Sequence, residues 1–481
     1  MDRNFHGHSK LVLDRSNPVR LPSGWLRFAL LLLGLLLAIG LARWPKTNAD
    51  SLTLVPPLPQ DEHIQVYFNH SPAAVYTEPY RQQTRQGDDL EQVIVDAIAT
   101  ANQSIDVAVH ELRLPNVAQA LRLRRQAGVQ VRVIVENTYR RDWSSLNARE
   151  VAELDDRARS KYDETIRFAD QNQDGQVSAG EAAQTEAMAI FHSAGIPVID
   201  DTADGSKGSG LMHHKFLVID HRTTIVSSAN LTFSDTFGDW SKPETIGNAN
   251  HLLKINSPAV ARVFTQEFNW MWRDRKFGLQ KPYRPPVSIR VGNSIVTIQF
   301  SPTSRRLPWP QSVSGLIGKT LNQATRSVDM ALFVFSEQNL SNILAAKHQR
   351  GVKVRSLIEP SFAYRDYSEL LDMLGVSLPN NRCQVEANNR PWQTPIATAG
   401  IPNLTEGDML HHKFGLIDDR TVITGSQNWS DAANLLNDEN LLVISNPIVA
   451  AHFRREFDRL YQTATLGIPD WLQTKIQQGC R

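Results

Sequence analysis

The chain is written twice. Ser104 to Leu112 (SIDVAVHEL) matches Ser327 to Phe335 (SVDMALFVF), and Gly128 to Asn137 (GVQVRVIVEN) matches Gly351 to Pro360 (GVKVRSLIEP). His213 to Asn230 then matches His411 to Asn428, and Ile255 to Trp272 (INSPAVARVFTQEFNWMW) matches Ile444 to Tyr461 (ISNPIVAAHFRREFDRLY). Four matches in the same order require two versions of one domain. The 481 residues are enough for both. The seam falls near Pro282 to Pro286, which gives a first domain at 63–281 and a second at 282–481.

Each copy alternates strands with helices. In the first, His63 to Asn69, Ser104 to Val109 and Val129 to Val135 read as strands. Leu90 to Ala101 and Val117 to Gln126 carry apolar residues at helical spacing. The last shared segment opens on Ser-Pro or Asn-Pro, a good helix start. The expected fold is α/β: two sandwich domains related by a pseudo-two-fold axis.

Within each copy one stretch carries chemistry. His213-His214-Lys215 opens an apolar run to Asp220 and leads to Ser228 and Asn230; His411-His412-Lys413 does the same to Asp418, Ser426 and Asn428. The runs are predicted strands, whose side chains alternate faces. His213 and Lys215 therefore point one way and His214 the other, and likewise His411 and Lys413 against His412. Two imidazoles can act as nucleophile and general acid, and two lysines can hold anionic phosphoryl oxygens. Two hydroxyls and two amides add hydrogen bonds. Pooled about the two-fold axis, this set surrounds one phosphodiester, with the lysines supplying positive charge in place of a catalytic metal.

H-x-K-x4-D followed by G-S-x-N, present twice, resembles the signature of the phospholipase D superfamily, over roughly His63 to Tyr461. The resemblance implies a two-lobed α/β sandwich and a phosphohistidine intermediate. It also implies metal-independent hydrolysis or alcohol exchange. By family order His213 is the expected nucleophile and His411 the acid, with Asp220 and Asp418 structural. Two positions depart from the pattern. Ser227 stands opposite Gly425. Glu439 looks like the family's acidic partner for His411, but the corresponding first-half residue is Asn250. Asn250, Glu244 or Asp239 is then left to orient His213.

An insertion at 144–200 belongs to the first copy alone. Its centre, Asp170 to Glu181 (DQNQDGQVSAGE), fits an EF-hand loop. Asp170, Asn172 and Asp174 offer side-chain oxygens, Gln176 its carbonyl, Ser178 a hydroxyl or a water, and Glu181 a bidentate carboxylate. Helical sequence flanks it at Ala148 to Phe168 and Ala179 to His192. A structural calcium ion in a helix-loop-helix insertion is the expectation.

Residues 1–27 are basic, with Lys10, Arg15, Arg20 and Arg27, and an apolar run from Phe28 to Ala42 follows. Segment 28–44 reads as a signal anchor, with Trp25 and Trp44 at the two interfaces, or as a signal peptide cut after Ala42. A linker at 45–62 follows. Both readings expect catalytic domains outside the cytoplasm, membrane-anchored or secreted. Cys383 and Cys480, the only cysteines, could then form one bridge.

A formal net charge of +1 argues against a strongly basic nucleic-acid binder, although a local patch such as Arg122, Arg124 and Arg125 would suffice. The expected activity is phosphodiester hydrolysis of a phospholipid head group. The alternatives are a metal-independent endonuclease acting on DNA or RNA and a non-catalytic calcium-dependent binding protein.

Overall fold

The computed structural model describes residues 54–478. Segments 1–27 and 28–44, the start of the 45–62 linker and Cys480 lie outside the described residues. Cys383 is held in a disulfide.

The described residues form one compact unit. Two large mixed sheets organise it. The strands of the first are β1 (Ile64–Phe68), β2 (Ser104–Val109), β3 (Gln130–Val135), β4 (Val198–Asp200), β5 (Lys215–Ile219), β6 (Thr223–Ser227) and β7 (His251–Asn256), in the spatial order β1-β7-β6-β5-β2-β3-β4. The second holds β8 (Val287–Val291), β9 (Ser294–Phe300), β10 (Ser327–Leu332), β11 (Lys353–Ile358), β12 (Ala399–Ile401), β13 (Lys413–Ile417), β14 (Thr421–Gly425), β15 (Asn440–Ser445) and β16 (Thr465–Leu466). Its order is β8-β9-β15-β14-β13-β10-β11-β12-β16. The middle of each sheet repeats the other: β5 and β13 each run antiparallel between β2 and β6 or β10 and β14. Helices Leu90–Ala99 and Pro115–Gln126 in the first half correspond to Val313–Leu321 and Gln338–Gln349 in the second.

The last shared segment forms helix Pro258–Trp272 in one half and Pro447–Gln462 in the other. Ser257 and Asn446 cap them, their side chains accepting from Val260 N and from Ile448 N and Val449 N. Each helix buries a Phe pair, Phe264 and Phe268 or Phe453 and Phe457, in one core cluster that also takes in Phe216 of β5 and Phe414 of β13. That cluster spans both halves, and each fully buried Phe contributes about 1.5–3 kcal/mol of transfer free energy.

Asp220 and Asp418 do the structural work expected of them. Both take positive φ, 49° and 53°, directly after β5 and β13. The Asp220 carboxylate accepts from the amides of Asn102, Gln103 and Ser104, and Asp418 from those of Thr325, Arg326 and Ser327. Each aspartate pins the start of the neighbouring strand, β2 or β10.

The insertion is helix-loop-helix, with Asp156–Ala169 before the loop and Ala179–Thr185 after it. Gly175 adopts φ +83°, as the sharp turn needs. Asp170 accepts from Asp174 N and Gly175 N, while Glu181 accepts from the amides of Gln171, Asn172 and Ser178. Ser178 and Glu181 form a capping box on the second helix. Among the described residues no group of three or more His, Cys, Asp or Glu side chains is gathered closely enough to hold a metal ion.

Candidate active site

Each catalytic-type histidine sits just outside its strand, where backbone from the other half reaches it. Met212 forms a parallel bridge with Asp438, and Ala249 one with Leu410. His213 N donates to Asp438 O and His411 N to Ala249 O, 3.0 and 3.1 Å. Through these crossed bridges, the residue one step before β15 meets the first-half histidine, and the residue one step before β7 meets the second-half histidine.

This corrects the pairing expected from the sequence. Glu439 does not orient His411; its Oε2 lies 2.7 Å from His213 Nδ1. Asn250 does not orient His213; its Oδ1 lies 3.0 Å from His411 Nδ1. Glu244 is exposed, and the Asp239 carboxylate accepts from the Ser234 hydroxyl while its backbone N donates to the Thr245 hydroxyl, so neither meets His213. The physical reason is the bridge register, which exchanges the orienting residues between halves. A repeat alignment shows which positions correspond, but not that each serves the other copy's histidine.

Asp235 is a residue the sequence reading missed. It is buried, its Oδ1 lies 3.6 Å from His411 Nδ1, and it accepts from the side-chain amides of Asn250 and Asn248. The second half has Ala433 at the corresponding place, beside its intact Glu439. The signal is therefore in the repeat alignment: the copy that loses the glutamate carries an aspartate where the other copy has an alanine.

With Nδ1 of both histidines facing these partners, Nε2 of each is the nitrogen left for substrate. Burial, followed by Lys215 and Lys413, holds His213 well below the usual imidazole range. Burial, Lys413 and Lys215 do the same to His411. The lysines are buried as well, each donating to its own histidine's carbonyl: Lys215 Nζ to His213 O at 3.0 Å and Lys413 Nζ to His411 O at 2.6 Å. Burial lowers Lys215 to about 8 against the pull of Glu439 and Asp235. Lys413 is lowered well below its usual value by burial and by Lys215. Burial raises Glu439 to about 7, with Lys215 opposing. The mutual influence of residues from both H-x-K motifs marks one shared site.

The remaining motif residues complete it. Ser228 Oγ donates to Asn250 Oδ1 at 2.8 Å, while Ser426 Oγ accepts from Asn440 N at 3.0 Å and bonds the Glu439 side chain. Asn230 Oδ1 is 3.3 Å from His110 Nδ1. Asn428 Oδ1, buried, has no hydrogen-bond partner among the described residues. His214 and His412 turn away into the core, against Glu267 at 3.3 Å and Glu456 at 2.9 Å.

The family model described as cardiolipin synthase, PLD-like domain, matches residues 94–272 and 317–461, one block in each half and more than half of the chain. The human mitochondrial cardiolipin hydrolase is 30% identical over 158 residues, 32% of this chain and 54% of that protein. The Chlamydomonas reinhardtii protein of the same name is 27% identical over 141 residues, 29% of this chain and 54% of its own length. This chain thus matches about half the length of these two relatives. A phospholipase D from Rickettsia bellii (strain RML369-C) is 24% identical over 41% of this chain and 80% of its own. Among solved structures, the phosphatidylserine synthase of Haemophilus influenzae Rd KW20 shares the fold, with a TM-score of 0.52 at 13% identity over 86% of this chain and 90% of that one.

One expectation is overturned here. Catalytic halves outside the cytoplasm, anchored or secreted, disagree with relatives whose names place them in mitochondria. Among the described residues no helix is long and apolar enough to cross a membrane. The segment that raised the expectation, 28–44, lies outside the described residues. Family membership itself rests on both halves: the chain belongs to the cardiolipin synthase-type PLD-like domain family, carried here as a duplicated α/β fold with the paired H-x-K motifs meeting at one site.

Proposed function

We propose that this protein is a phospholipase D-type phosphodiesterase that hydrolyses phospholipid head-group diesters through a phosphohistidine on His213. The observation that carries the reading is the crossed pair of orienting contacts, Glu439 to His213 and Asn250 to His411. A carboxylate on Nδ1 strengthens the Nε2 nucleophile and stabilises the cationic imidazole left after attack, as a neutral amide cannot. That favours His213 as nucleophile and His411 as acid. The relatives named cardiolipin hydrolase and phospholipase D support a lipid substrate.

In the first step the His213 Nε2 lone pair attacks phosphorus, the bond from phosphorus to the leaving oxygen breaks, and His411 Nε2–H protonates that oxygen. In the second, His411 takes a proton from water, the water oxygen attacks phosphorus, and the P–N bond breaks. Lys215 and Lys413 hold the phosphoryl oxygens, with amide help from Asn230 and Asn428. In the free enzyme both imidazoles are neutral, as a nucleophile must be. An anionic diester between the lysines offsets their charge and lets His411 carry the proton it donates.

A panel of phosphatidylcholine, cardiolipin and single-stranded DNA, each with and without ethanol, tests this. Phosphatidic acid, and its ethyl ester when ethanol is present, is the expected outcome; turnover of DNA alone would make the enzyme a nuclease. Acid-quench trapping is expected to find phosphate on His213, and the label is expected to vanish in His213→Ala.

The loop Asp170 to Glu181 is proposed to take a structural calcium ion. Oxygen donors at the required spacing and the left-handed Gly175 support this. Glu181 now caps the following helix and would have to turn part of its carboxylate to the ion. Calcium at a hundredfold excess over Kd is expected to add about 2.7 kcal/mol of stability without being needed for turnover. Thermal melting across a calcium titration, compared with Asp170→Ala, reads it; an unchanged melting temperature would exclude the site.

A further inference from the structure

The two sides of the active site are built from corresponding residues of different chemistry. In the first half His110 lies edge-on to His213, ring centroids 4.9 Å apart, and Tyr139 lies edge-on to His110 at 5.0 Å. In the second half Phe333 lies edge-on to His411 at 4.8 Å, and Phe362 edge-on to Phe333 at 4.9 Å. The repeat aligns His110 with Phe333 and Tyr139 with Phe362. The geometry is kept and the polarity is changed.

Each wall is reinforced in its own sense. On the first, the insertion brings Lys161 over the Tyr139 ring at 4.2 Å and into an ion pair with Glu111. His110 also engages Asn230 Oδ1, whereas the phenyl ring of Phe333 offers nothing to Asn428 Oδ1, which stays unpartnered. Phe333 and Phe362 are half-buried, so the apolar wall is not sealed into the core.

We infer that this asymmetry fixes the orientation of the substrate: the leaving alcohol departs along the Phe333–Phe362 wall and carries apolar bulk beside its reacting oxygen. The inference rests on the proposed roles of His213 and His411. In-line displacement sets the leaving oxygen opposite the nucleophile, and so next to His411, whose flank is Phe333. Apolar carbon there gains burial against two phenyl rings, while a second hydroxyl set against those rings would lose hydrogen bonds to water that the phenyl faces do not replace. The favoured substrates are diesters whose leaving alcohol is itself lipid-like, over those with a small polyol.

By microscopic reversibility an acceptor alcohol enters where the leaving alcohol departs, so acceptors probe this wall without a lipid. With bis(p-nitrophenyl) phosphate as donor, n-butanol and trimethylene glycol, nearly equal in size, compete with water for the phosphoryl-enzyme. The product is the mixed alkyl nitrophenyl diester in place of nitrophenyl phosphate. Butanol is expected to be favoured about tenfold per mole, the scale of a single apolar group in a matched pocket. Phe333→Leu should keep that preference. Phe362→Tyr should reduce it, and Phe333→His with Phe362→Tyr should bring it within about twofold. His110→Phe should leave it in place. Equal use of the two alcohols by the unaltered enzyme, or a preference that survives Phe333→His with Phe362→Tyr, overturns the inference. Failure of the donor to phosphorylate the enzyme at all would instead overturn the proposed mechanism, and failure on lipids alone would overturn only the lipid substrate.

Discussion

At the scale of single residues the site is a set of neutral and charged groups held away from their ordinary pKa values, and pH reads it directly. Glu439 must be ionised to accept from His213 Nδ1–H. Burial sets its carboxyl at about 7, so protonation below that pH removes the support. Lys215 must be charged to hold the phosphate, and burial sets it at about 8. kcat/KM is therefore expected to fall on the acid side of about 7 and on the alkaline side of about 8. Glu439→Gln should lower the maximum, abolish the acid limb and move the alkaline one to lower pH, since the Glu439 charge helps to hold Lys215 up. An acid limb that survives in Glu439→Gln would assign it to another group.

Asp235 gives a second residue-level test. It lies behind Asn250 and beside His411, so its removal weakens the acid rather than the nucleophile. Asp235→Asn is expected to slow release of poor leaving groups about tenfold or more, the range of an outer partner of a histidine. Nitrophenol, which needs little protonation, should leave nearly as before. Equal losses with both leaving groups would mean that Asp235 serves only the fold.

At the scale of elements, much was legible because it is local. Strand alternation correctly separated His213 and Lys215 from His214, and the Ser-Pro and Asn-Pro starts located helices Pro258–Trp272 and Pro447–Gln462. The orienting partners were not legible, because Met212 with Asp438 and Ala249 with Leu410 are bridges between residues more than a hundred and fifty positions apart. Nothing in local periodicity encodes such a register. Polar residues inside the core were equally hidden. Lys281, at the seam between copies, pairs with Glu267 of helix Pro258–Trp272 and, at 2.6 Å, with Asp438. All three side chains are fully buried. Burial pushes the Glu267 carboxyl up, but Arg284, Lys281 and His214 together hold it well below the usual range. Lys281→Met would leave two carboxylates under-compensated in the interior, at a cost of about 3–5 kcal/mol. It should also lower kcat, since Asp438 anchors the bridge that brings Glu439 to His213. Urea unfolding and steady-state kinetics on one preparation check both. A variant as stable and active as the parent would show that the network is dispensable.

At the scale of the molecule, duplication makes two domains in sequence while the active site and core make them interdependent. Phe68 of β1 meets Phe453 of the second half at 5.2 Å, and Phe264 meets Phe300 of β9 at 5.3 Å. His251 and His412, one from each half, approach at 2.9 Å between ring nitrogens. Parting the halves would expose these rings to water and strip His213 and His411 of the partners on their Nδ1 atoms. An intermediate with one half folded would therefore lose much of the shared core that stabilises it, and should not accumulate. Residues 54–481 are expected to unfold in urea as one transition. Tryptophan fluorescence, far-ultraviolet circular dichroism and loss of diesterase turnover should share a midpoint. Independent halves would instead give two steps, with turnover lost at the first because neither half holds a complete site. Phe453→Ala gives the sharper form of the test. It removes a ring buried against Phe68 and Phe414 and should cost about 3–5 kcal/mol. In a coupled molecule the whole curve moves to lower urea with all three signals still coincident. If the curve instead splits into two steps with only one of them moved, the shared core does not couple the halves.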